Sequence, residues 1–128
     1  MPDYRRPIGV TEPFVAWDVT TPGSFTAGAE GPACDRDGCV YAVGFGRDDT
    51  IGCIAPGGVA EPFVQLPAGS IGNGIRVRRD SAALFVADYT GHNILVVGLP
   101  SGVVEVWAHE PTLHQPNDLA ITADDVLY

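Results

Sequence analysis

The chain has 128 residues and is 45% hydrophobic, with 16 Gly and 11 Pro. That length and composition suit one turn-rich, all-β unit and exclude a disordered chain. The formal charge is −9, from 16 acidic residues against 7 basic ones, all of them Arg. This balance speaks against a nucleic-acid partner or an anionic membrane surface, both of which need basic patches. No stretch approaches the roughly 20 apolar residues of a membrane span. The opening MPDYRRPIGVTEP has no apolar core and no small-residue cleavage site, so no signal peptide is read and a cytoplasmic setting is expected.

In chain order, the first element is an apolar stretch at residues 10–17, VTEPFVAW, which resembles VAEPFVQL at 59–66. Three longer segments then open alike, at Glu30, Asn73 and Asn117, spaced 43 and 44 residues apart. They read EGPACDRDGCVYAVGF, NGIRVRRDSAALFVADY and NDLAITADDVLY. Each is a polar residue, then Gly or Asp, a short strand, a turn with Asp and a second strand. A fixed period of about 40–50 residues with short strands is the signature of a β-propeller, one blade per repeat.

Blade one is expected over 30–67, with strands at 31–35, 39–45, 50–55 and 60–66. Blade two is expected over 73–110, with strands at 74–79, 83–89, 93–99 and 103–109. The Asp-Gly, Pro-Gly-Gly and Pro-Ser-Gly connections are hairpin turns. In 74–79, Ile75 and Val77 should face one way and Arg76 and Arg78 the other. Blade three begins at Asn117 and is only started by Tyr128, and 10–17 reads as a stray outer strand. Propellers use about four blades or more. About two and a half blades therefore imply a truncated piece of a longer protein, or self-association through exposed blade edges.

Cys34 and Cys39 flank the turn 35–38 and could face each other across a hairpin; Cys53 leaves an odd count, which favours free, half-buried thiols. Trp17, Trp107, Phe63, Phe85 and Tyr41 are expected in the core between blades. Asp88 should end a strand and cap a turn. Arg76, Arg78 and Arg79 are expected to be solvated and paired with carboxylates, with contact to a substrate carboxylate as the remote alternative. Asn73 lies in Gly72-Asn73-Gly74, which is also a strong turn signal. Asp118 is a candidate base but is expected to cap local amides instead. His109 and His114 fall in a loop, HEPTLHQPND, that leads toward the third repeat.

The Glu-Gly-Pro opening, IGNGIRVRRD…LFVADY and QPNDLAIT…DVLY together resemble the N-terminal half of the gluconolactonase family, whose relatives include regucalcin. The resemblance runs from about Phe25 to Tyr128. It implies a six-bladed propeller that holds a divalent cation in its central channel and hydrolyses lactones, sugar lactones above all. Carried over, Glu30 and Asn117 are metal-site residues. Asn73 and Asn117 face substrate, and Asn117 belongs to the catalytic centre; His114, read from its loop and not from the family, is either a substrate contact or an exposed loop histidine. The family's later ligands, including its expected general base, would lie beyond Tyr128, so lactone hydrolysis is expected of the intact propeller and not of these 128 residues alone.

The chemistry behind that assignment is general. Equivalent positions of successive blades point to one axis, so Glu30, Asn73 and Asn117 should converge. One carboxylate and two amide oxygens suit a hard cation, Ca²⁺ first, with Mg²⁺, Mn²⁺ or Zn²⁺ as alternatives. Such a cation polarises a lactone carbonyl and stabilises the oxyanion formed by water attack. The competing readings are a non-catalytic propeller module that binds a ligand or protein, and an arylesterase- or strictosidine-synthase-like propeller.

Overall fold

The computed structural model describes Ala16 and residues 18–128, and among these there is no helix. The stray strand read at 10–17, apart from Ala16, and the core role of Trp17 lie outside the described residues. Eight strands form two antiparallel sheets of four, each in chain order. The first sheet is β1 (Ala33–Cys34), β2 (Val40–Val43), β3 (Thr50–Ile54) and β4 (Ala60–Gln65). The second is β5 (Gly72–Val77), β6 (Ala83–Asp88), β7 (Asn93–Gly98) and β8 (Val104–His109). All eight fall on the segments expected from the sequence.

Local chemistry explains the strand ends. β1 is only two residues long because Pro32 precedes it and has no N–H to give the ladder. Its turn into β2 is held by Asp35, whose Oδ1 accepts from the amides of Asp37 and Cys39, both at 2.9 Å. Pro62 lies in the edge strand β4, beside a register shift between Ile51 and Gly52, where a missing donor does least harm. In the second sheet Asp80 takes the Asp35 role, accepting from the Ala82 amide at 2.9 Å.

The two sheets stack face to face. Tyr41, Val43, Ile51 and Leu66 of the first half form one core with Ile75, Leu84, Val86, Leu95 and Val97 of the second. Gly72 has no room for a side chain here, since a Cβ would come within 2.9 Å of Val43 and 3.1 Å of Leu66 and Val86. The alternation of β6 sends Phe85 and Ala87 the other way, into a second cluster with Leu119, flanked by Ile121 and Leu127. All six residues of β6 are therefore buried. The third repeat forms a single antiparallel bridge, Ile121 with Leu127, supported by Ala120 and Tyr128 exchanging backbone bonds at 2.9 Å.

Two expectations are corrected. Trp107 is not core: it is 62% exposed on edge strand β8 and touches Phe85 only edge-on, with ring centroids 5.5 Å apart. Asn73 does not sit in a turn ahead of the strand but inside β5, which begins at Gly72 and not at Gly74. The three cysteines are free, Cys34 exposed and Cys39 and Cys53 half-buried. Cys34 stands opposite Val40, whereas Cys39 and Cys53 share the face that carries Tyr41.

Candidate functional site

The start of each repeat is laid directly on the start of the next. Gly31, at φ +60°, abuts the Asn73 carbonyl and the Gly74 Cα, leaving no space for a Cβ. Gly74 abuts Asp118 and Asn117 in the same manner, and its amide donates to the Asn117 carbonyl at 2.8 Å. A glycine after the polar residue is thus what lets three backbone segments approach closely. The Glu30 carbonyl is tied to its own sheet by the Val43 amide at 3.3 Å.

The ladder between β5 and β6 is irregular between Gly72 and Ile75. Gly72 faces Asp88 and Ile75 faces Val86, so Asn73 and Gly74 together oppose Ala87. That is one extra residue on β5, a bulge that re-aims a side chain off the regular pleat. The Asn-Gly pair that signalled a turn marks this break in the strand.

Glu30, Asn73 and Asn117 line one recess of about 260 Å³, with Arg76 and Asp118 on its wall. Glu30 and Asn117 are exposed and Asn73 is half-buried, so the recess opens to solvent. Asp118 does what was expected, accepting the Leu119 amide at 2.8 Å. It also receives Arg76: Nη2 stands 2.9 Å from each of its carboxylate oxygens. Arg76 Nη1 donates to the Ile75 carbonyl at 2.7 Å. The pairing of Arg76 and Arg78 with carboxylates therefore holds, the latter through Asp80 at 2.6 Å. The place of Arg76 in the recess went unread, although it precedes Asp118 by 42 residues, close to one repeat.

His114 stands apart from the recess, exposed, its ring 6.3 Å from that of His92. His109 ends β8 and bonds the Asn93 Oδ1 at 2.7 Å. Asn93 in turn donates to Asp88 at 2.8 Å, and Ser70 donates to the same oxygen at 2.8 Å. Asp88 is fully buried and also caps the Gly91 amide at 3.0 Å, so it fastens the β6–β7 turn.

Among the described residues, no group of three or more His, Cys, Asp and Glu side chains is placed to hold a metal. The donors of the recess are instead one carboxylate with no bond to another described side chain, two carboxamides and a carboxylate already bonded to a guanidinium. This all-oxygen set fits a hard cation that keeps several waters, and does not fit a soft one. No family model and no curated protein matches the chain.

Proposed function

We propose that the recess is part of the cation-dependent site of a lactone hydrolase built on a six-bladed propeller. In that propeller the two sheets are blades one and two, and residues 117–128 begin blade three. The observation that carries the reading is the convergence of Glu30, Asn73 and Asn117, one from each repeat, on a single recess. The Glu-Gly-Pro and Pro-Asn-Asp motifs at those positions support it by resemblance.

Glu30 would hold the cation by charge, with Asn117 beside it. Asn73 and Asn117 would orient the lactone through amide oxygens and N–H donors that leave the charge of the ion unquenched. The cation, when bound, supplies Lewis-acid polarisation of the carbonyl. Ca²⁺ is the first choice on ligand type.

The test is hydrolysis of D-glucono-1,5-lactone by the protein in its complete reading frame, with Ca²⁺ and with chelator. Wild type should need the cation. Glu30→Gln keeps size and hydrogen bonding but removes the charge, and should lower kcat/KM by about a hundredfold or more. An unchanged rate in Glu30→Gln contradicts the assignment. A chain that binds Ca²⁺ but hydrolyses no lactone would fit the binding-module reading instead.

A further inference from the structure

We infer that Arg76 makes this recess selective for a substrate that carries a carboxylate, an inference that rests on the lactone-hydrolase reading above. Three other arginines of the two sheets bond polar groups at exposed turns. Arg47 grips Asp49 through Nε and Nη2, at 3.0 and 2.6 Å. Arg78 grips Asp80 through the same two nitrogens, at 2.8 and 2.6 Å. Arg79 reaches the Ala123 carbonyl through Nη1 at 2.8 Å. Arg76 differs from the two forked pairs in both place and mode. It lines the recess, and it meets Asp118 through Nη2 alone while Nη1 is tied to Ile75.

A guanidinium has five N–H donors, and the three acceptor oxygens around Arg76 occupy at most three of them. Its Nε edge carries no bond to another described residue. The group is thus oriented by two anchors and still has donors to offer, which is how an arginine is pre-organised to take a carboxylate.

The charges point the same way. Glu30 and Asp118 against Arg76 leave the recess with a net charge of −1. A divalent cation reverses this to one positive charge. A neutral lactone leaves that charge unbalanced, and a lactone with one carboxylate cancels it. The carboxylate would sit on the guanidinium and the lactone ring over Glu30, Asn73 and Asn117.

The experiment compares two probes on the protein in its complete reading frame: D-glucaro-1,4-lactone, which carries a carboxylate, and D-glucono-1,5-lactone, which does not. Binding of D-glucarate and of neutral D-glucitol is measured alongside by calorimetry. Wild type should favour the charged lactone, and bind glucarate over glucitol, by about tenfold or more. Arg76→Gln should abolish both preferences and Arg76→Lys should keep part of them. Because Arg76→Gln strands Asp118, the double variant Arg76→Gln/Asp118→Asn keeps a neutral hydrogen bond between the repeats and should also lose both preferences.

If wild type and the double variant discriminate equally, Arg76 is only a brace between repeats and the inference is overturned. If both lactones are hydrolysed with no charge preference, the inference falls and the hydrolase reading stands. If neither lactone is hydrolysed but glucarate binding depends on Arg76, the anion-recognising role stands and the hydrolase reading falls.

Discussion

Two aromatic pairs, 44 residues apart, occupy matching places in the two sheets. Tyr41 meets Phe63 edge-on at 5.3 Å, and Phe85 meets Trp107 edge-on at 5.5 Å. Their surroundings differ. Phe63 packs against the core shared by the two sheets, whereas Trp107 is 62% exposed. The same contrast appears on the opposite face of each sheet. Val40 is half-buried and borders an apolar recess of about 250 Å³, while its counterpart Leu84 is fully buried. The repeat sets which way a side chain points, and the neighbouring layer sets whether it is buried. Among the described residues only the second sheet has a layer on both sides.

Side-chain truncation should tell the two sheets apart. Leu84→Ala removes a fully buried side chain and should destabilise by about 2–5 kcal/mol. Val40→Ala at the matching position should cost less than about 1.5 kcal/mol, because its site is already open. Urea melts of both variants check this, and equal losses would contradict the layered account.

The repeat junctions give the next largest effect. A Cβ at Gly74 would lie 2.8 Å from the Asp118 Cα and 3.1 Å from the Asn117 carbonyl, so backbone must shift. Gly74→Ala should therefore cost about 1–3 kcal/mol in the same melts. It should also disturb the amide resonances of residues 117–119. A neutral substitution would mean that the second and third repeats are not in close register.

A smaller, pH-dependent effect concerns Cys39. Burial first, then the neighbouring Cys53 and Asp35, push the Cys39 thiol up to about 11. Above its ordinary value of 9.0 the unfolded chain loses this proton while the folded chain keeps it. The stability it contributes is therefore complete below pH 9 and is lost as pH rises toward 11. Alkylation of the native protein at pH 9 should modify Cys39 slowly, with a rate that climbs to about pH 11. A rate already at its plateau by pH 9 would contradict this placement.

Much of the fold was legible because its signals are local. Alternating apolar runs bounded by Asp-Gly, Pro-Gly-Gly and Pro-Ser-Gly located all eight strands. The 43- and 44-residue spacing located the convergence of Glu30, Asn73 and Asn117. What failed depends on neighbours distant in sequence. The exposure of Trp107 depends on what covers β8, and no pattern within 103–109 records that. Gly72-Asn73-Gly74 correctly signalled irregular backbone, but a turn and a bulge have the same residue preferences. Phe25 and Phe45 form a bridge and an edge-on contact at 5.2 Å, unread because 18–29 has no periodicity. The strand that carries Arg76 shows a basic cluster for which a substrate carboxylate is only the remote reading, because its partner Asp118, and with it the charge of the recess, lies in the next repeat.

The proposed function requires that Glu30, Asn73 and Asn117 act on one cation. The most direct measurement follows the side-chain amide resonances of Asn73 and Asn117 by NMR while Ca²⁺ is added, in wild type and in Glu30→Gln. Both amides should shift with one shared midpoint, and Glu30→Gln should weaken that midpoint by about tenfold or more. Amides that do not respond, that respond with different midpoints, or that ignore the loss of the Glu30 charge would contradict it.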